Sequence, residues 1–139
     1  MFEFIYEILN AVGFTHPLHP AITHLPMGMT MGAFIFSLLS IKIPALAKTA
    51  YHCIVVALVF VIPTVILGIM DWQHFYQGEW NRYFVTKFVL AGLFTLFLST
   101  AMLIARRENA HPTALWVAYG LCLITAIGLG FTGGEIQYG

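Results

Sequence analysis

Six basic and six acidic residues are spaced so that four long stretches carry no charge at all: residues 8–41, 49–70, 88–105 and 109–134. A helix needs about 20 mainly apolar residues to cross a hydrocarbon core roughly 30 Å thick, and each stretch reaches or nearly reaches that length. A soluble domain is excluded, because only 9% of the 139 residues are charged and 60% are hydrophobic. Ordinary globular domains carry about 25% and 45 to 50%. The spacing predicts transmembrane helices near residues 20–41, 49–70, 84–105 and 112–132. Short connections make consecutive helices antiparallel neighbours, so the expected fold is an all-α membrane protein, a four-helix up-down bundle.

Residues 1–15 are expected to stand apart from this bundle of residues 16–139. Acidic Glu3 and Glu7 occupy the place of the positive region of a secretory signal, so the first apolar stretch is not read as one. Over residues 2–12, Phe4, Ile5, Ile8, Leu9 and Val12 share one helical stripe, with Glu3, Glu7 and Asn10 away from it. That pattern fits an amphipathic helix lying in the membrane interface, or a terminus that orders only against a partner. Gly28 and Gly32, and Gly130 and Gly134, form GxxxG spacings suited to helix packing or to an oligomer contact. Pro63 should bend the second span. Cys53 and Cys122 stand in separate spans without CxxC or CxxCH, which argues against covalent c-type haem and against an iron–sulfur cluster held by this chain.

Antiparallel threading sorts the charges. One face holds Glu3, Glu7, Asp71, Glu79, Arg82, Lys87 and Glu135; the other holds Lys42, Lys48, Arg106, Arg107 and Glu108. Lys and Arg are retained on the cytoplasmic side, so both termini are expected outside. A formal charge of zero gives no basic patch for nucleic acid.

Six histidines in so apolar a chain invite a functional reading, since ionisable groups in a bilayer are costly. His16, His19 and His24 stand in THPLHPAITHLP at the start of the first span, where Pro20 suits the first helical turn and makes His19 the expected N-cap. His74 follows the second span on the same face. His52 and His111 lie on the opposite face, in the diagonal second and fourth spans. Diagonal imidazoles can clamp a haem b iron, which makes His52 with His111 a candidate ligand pair; at the other end His24 with His74, His19 or His16 is a second candidate pairing. Each has a plainer reading as a headgroup-level side chain. The 16, 19, 24 triplet is a weaker zinc or copper candidate, because His19 and His24 are five apart and do not align on one helical face. Asp71, Trp72, Arg82, Lys87 and Glu135 gather on the outer face as a candidate quinone or partner site, against the simpler reading of an aromatic belt with paired charges.

The segment THPLHPAITHLPMGM resembles the HPxHPxxxHxPxG opening of a family of small bacterial four-helix membrane proteins of unknown function, sometimes joined to Rieske-type ferredoxin modules. LGIMDW is similar to that family's TGxxDW ending of helix two, and GGEIQYG to its GGELVYxxG terminus. The resemblance covers nearly the whole chain and singles out His16, His19, His24, Pro26, Asp71, Trp72, Gly133, Gly134, Glu135 and Tyr138. It implies a bacterial cytoplasmic membrane, in which the termini expected outside from the Lys and Arg distribution are periplasmic. Where the family often has a histidine at the start of helix three, this chain has RYFVTKF, with Lys87 and Phe88 near that position.

Together these features lead to the expectation of a non-catalytic membrane subunit of a redox complex. It would bind haem b, a quinone or both, contact lipid and other subunits, and relay electrons. The alternative is a cofactor-free anchor or assembly subunit. No arrangement of nucleophile, base and oxyanion donors marks a hydrolase.

Overall fold

A computed structural model describes residues 3–107 and 109–138. Five helices follow in order: α1 (Glu3–Ala11), α2 (His19–Leu39), α3 (Leu46–Phe75), α4 (Arg82–Ala105) and α5 (Pro112–Tyr138). The last four are long and apolar enough to cross a membrane. Packing joins α2 to α3, α3 to α4, α4 to α5 and α5 to α2, which leaves α2 diagonal to α4 and α3 diagonal to α5. This is the expected up-down bundle, with α1 folded against one end.

Two spans run further at their carboxyl-terminal ends than the expected 49–70 and 112–132. Helix α3 continues past Met70 through Asp71 to Phe75, because the carboxylate is met by donors from α1 and α2 and no breaker intervenes before Gln77 and Gly78, both at positive φ. Helix α5 continues through Gly133 and Gly134; glycine is tolerated more readily in membrane helices than in soluble ones. At the amino terminus, Gly13 at φ 84° ends α1. The Phe14 amide donates to the Leu9 carbonyl and the Gly13 amide to that of Asn10, the paired bonds of a Schellman cap.

Lipid tails give helices no hydrophobic reason to associate, so close approach must supply the attraction. The core is accordingly built from small residues, with Ala33, Ala50, Ala57 and Ala101 buried beside Ile54, Phe94, Leu98 and Tyr119. Large side chains such as Val59, Ile62, Leu96, Leu103 and Ile124 face outward. Thr30, Thr64, Thr95, Ser99 and Thr125 return their hydroxyls to carbonyls of their own helix, so the spans bury no unmet hydroxyl there.

The GxxxG pairs divide. A β-carbon at Gly32 would stand 3.7 Å from Cys53 Sγ of α3, and one at Gly130 3.1 Å from Met27 Cε of α2, so these two serve packing within the chain. Gly28 and Gly134 have open space instead. Ala57→Leu should destabilise the bundle by about 1 to 3 kcal/mol through overpacking. Val59→Leu, on the outward side, should leave the thermal unfolding midpoint in detergent unchanged.

A polar cluster and cavity at one end of the bundle

The amino-terminal ends of α2 and α4 and the carboxyl-terminal ends of α3 and α5 meet at the same end of the bundle. Helix α2 begins at His19, one residue earlier than expected, with Leu18 as its N-cap and no capping side chain of its own. The cap comes from another helix. Asp71 of α3 accepts the Leu18 amide at 3.0 Å and the His19 amide at 2.8 Å, satisfying donors that the first turn leaves free. A carboxylate at a helix amino terminus is also favoured by the helix dipole.

The same carboxylate takes two side-chain donors. Tyr6 Oη donates at 2.5 Å, and His19 Nδ1 lies 3.0 Å from Oδ2. An ionised carboxylate only accepts, which places the imidazole proton on Nδ1 and leaves a lone pair on Nε2. Lys87 Nζ of α4 sits 2.9 Å from that Nε2, so the ammonium donates to it. The result is a line of groups, Asp71, His19, Lys87, in which the imidazole bridges a carboxylate of α3 and the amine of α4. Asp71 is only 1% exposed, and such a buried charge is tolerable because every acceptor site is used.

Tyr6 ties α1 into this cluster. It is buried, and its ring stacks on His74 at 3.9 Å and 4°. His74 Nδ1 lies 3.2 Å from the exposed Glu3 carboxylate. Burial first, and then the bond to Asp71, push the Tyr6 phenol above the ordinary tyrosine range. A raised folded-state value means that this docking is fully present below the unfolded value, about 10, and is lost as pH rises toward the folded one. Heat stability of the wild type should therefore fall as pH rises above that value, and Tyr6→Phe should show a smaller fall from a lower plateau. A single hydrogen bond to a charged group is worth about 1.5 to 3 kcal/mol, which sets the plateau difference.

Beneath the cluster lies a cavity of about 370 Å³. His19, His24, Thr23, Asp71 and Lys87 form its polar side. Trp72, Tyr76, Phe84 and Phe88 form an aromatic wall, and Met27, Val61, Val65, Phe94 and Leu129 close it toward the bundle interior. Trp72 is clamped by the loop after α3: its indole Nε1 donates to the Glu79 carbonyl at 2.9 Å, and the Gly78 amide returns to the Trp72 carbonyl at 3.1 Å. Trp80 meets it edge-on at 4.6 Å. Burial raises the Tyr76 phenol, with Asp71 adding to the effect.

Of the expected site residues, the cluster and cavity bring together His19, His24, Asp71, Trp72 and Lys87. His16 is exposed, its ring 6.0 Å from that of Phe14. His74 is turned to α1. Arg82 is exposed over the Tyr83 ring, and Glu135 is exposed on α5. His52 and His111 are both exposed at the other end, His52 beside Tyr51 and His111 with Nδ1 accepting the Thr113 amide at 3.3 Å. The side chain of Tyr138 lies outside the described residues. Among the described residues no three His, Cys, Asp or Glu side chains converge as a metal site. Sequence reasoning missed Tyr6, Thr23, Tyr76, Phe84 and Phe88. Tyr6 left one trace, as the phenol lying off the apolar stripe of α1. That stripe is itself largely outward: Phe4, Ile5, Ile8 and Val12 are exposed, while Tyr6 and Leu9 make the docking face.

Four apolar spans around a buried polar cluster at one end define a multi-pass integral membrane protein. Residues 15–138 match the family described as "Predicted membrane protein (DUF2231)", and the chain belongs to that family. No curated protein and no solved structure matches it.

Proposed function

We propose that this protein is the membrane subunit of a redox complex, binding a quinone in the end cavity and relaying electrons between it and a partner subunit. The observation that carries the reading is the Asp71, His19, Lys87 line at the head of an otherwise apolar and aromatic cavity sunk into the bundle. A quinone presents carbonyl oxygens that accept hydrogen bonds, and its reduced form presents hydroxyls. Lys87 carries N–H groups beyond the one given to His19, suited to a carbonyl oxygen. Once Lys87 swings to the ring, His19 Nε2 is free to take one proton from a hydroxyl of the reduced ring, with Asp71 stabilising the imidazolium, while the second proton passes to solvent at the bundle end and the two electrons pass to a redox centre of the partner subunit. Trp72, Tyr76 and Phe88 supply a wall for a planar ring.

Haem b fits this cavity less well. His19 and His24 are the histidines that line it, and both ring nitrogens of His19 are already engaged. Ligation by both would require His19 to give up Lys87. For orientation, the excess of Lys and Arg at the opposite end supports a cytoplasmic location for Lys42, Lys48, Arg106 and Arg107, with the cavity end and both termini on the periplasmic side of a bacterial cytoplasmic membrane. The outward apolar stripe of α1 then lies against lipid at the interface.

The test is to purify the protein in detergent, extract bound lipids, and record a reduced-minus-oxidised visible spectrum. The reading expects co-purified quinone and no b-type haem band. A haem band would move the electron carrier onto haem; neither quinone nor haem, with normal assembly of the parent complex, would leave the anchor alternative standing.

A further inference from the structure

A second hollow begins where the cavity ends. Val65, Phe88 and Ala91 line both the cavity and a groove of about 410 Å³ that opens between Val65 of α3 and Phe88 of α4 and then runs along the outer side of α4 past Gly92, Thr95, Leu96 and Ser99. Helix α4 enters the bundle at the polar end, so the groove descends from the cavity toward the middle of the bilayer. From Ala91 to Ser99 it follows about 12 Å of helix. Three observations keep it open and apolar. A β-carbon at Gly92 would meet nothing within 4 Å. The Thr95 and Ser99 hydroxyls are turned back to the Ala91 and Thr95 carbonyls, so they offer no unmet polar group. The α3–α4 contact is the sparsest of the four adjacent helix pairs.

From this continuity we infer that the groove holds the isoprenoid tail of the quinone whose ring occupies the cavity, and that the ligand enters sideways from the bilayer between α3 and α4. The inference rests on the quinone reading and adds the ligand's lipid tail and its route. Lipid offers an apolar tail no hydrophobic reason to leave it, so the groove contributes through packing along its walls. Selectivity for the tail should then respond to filling the groove and not to its polarity.

The experiment compares a tail-less dimethoxy-methyl-benzoquinone with the same ring bearing a decyl tail, each titrated against purified protein by quenching of intrinsic tryptophan fluorescence. Gly92→Leu places a side chain in the groove without meeting backbone. It should lower the decyl-to-tail-less affinity ratio about tenfold relative to wild type, a loss of about 1.4 kcal/mol; comparing variants cancels partition into detergent. An unchanged ratio overturns the inference while the quinone reading stands. A decylquinone with a diazirine on the first tail carbons gives a measurement that does not depend on any variant folding. Labelling within residues 91–99 or at Val65, displaced by excess decylquinone, supports the groove, and displaceable labelling elsewhere overturns it. Absence of saturable binding of the tail-less ring overturns the quinone reading and the groove with it.

Discussion

Asp71→Asn is expected to lower the stability of the purified protein by about 3 to 5 kcal/mol, because more than one buried donor loses its acceptor at about 1 to 3 kcal/mol each. The carboxylate accepts from Tyr6, from the Leu18 and His19 amides, and from the His19 ring. It therefore holds α1, the start of α2 and the end of α3 together. An amide cannot receive four donors on two oxygens, and its own NH2 would face donors already in place. Lys87 would also lose its compensating charge. Thermal unfolding in detergent measures the effect, with Glu135→Gln as the control: Glu135 is exposed at the same end and should move stability by no more than about 0.5 kcal/mol. Equal midpoints for the Asp71 variant and wild type would mean that the cluster does not hold the bundle end.

Lys87→Met is expected to separate binding from folding. The substitution keeps an unbranched side chain of similar reach and removes the donor. Asp71 keeps all four of its own donors, so the bundle end stays assembled and the unfolding midpoint shifts less than in Asp71→Asn. Quinone affinity should fall about tenfold to a hundredfold, the equivalent of a charge-assisted hydrogen bond of about 1.5 to 3 kcal/mol. Fluorescence titration with the tail-less benzoquinone reads this out. A variant that binds as tightly as wild type would remove Lys87 from the site. A double substitution with His19→Gln should cost less than the sum of the two single ones, because His19 Nε2 and Lys87 Nζ are in contact.

The bundle was legible in the sequence because charge gaps of span length have one cheap solution in a bilayer, and short connections leave one simple threading. The site was legible in part. His19, His24, Asp71, Trp72 and Lys87 were picked out as polar or aromatic groups near span ends, and they do line one cavity. What the sequence withheld was partnership. Asp71 and His19 are 52 positions apart and Asp71 and Tyr6 65, and no local pattern announces that a carboxylate on one span will cap another span's helix. The stripe on α1 marked an amphipathic helix, yet hydropathy cannot say which flank docks, and Tyr6 turned inward because it meets Asp71 and His74. The other histidines were drawn together by residue type and by end of the bundle. Which neighbour each ring meets depends on helix rotation, which hydropathy leaves free in spans that are apolar all round.

In the proposed site the polar line at the bundle end contacts a quinone through Lys87. The most direct measurement is the infrared difference spectrum of the protein with a quinone carrying a carbon-13 label at one carbonyl. One carbonyl stretch should be shifted down by hydrogen bonding in the wild type and return toward its free position in Lys87→Met. Both carbonyls at their free positions in wild-type protein with quinone bound, or the same shift surviving in Lys87→Met, would contradict it.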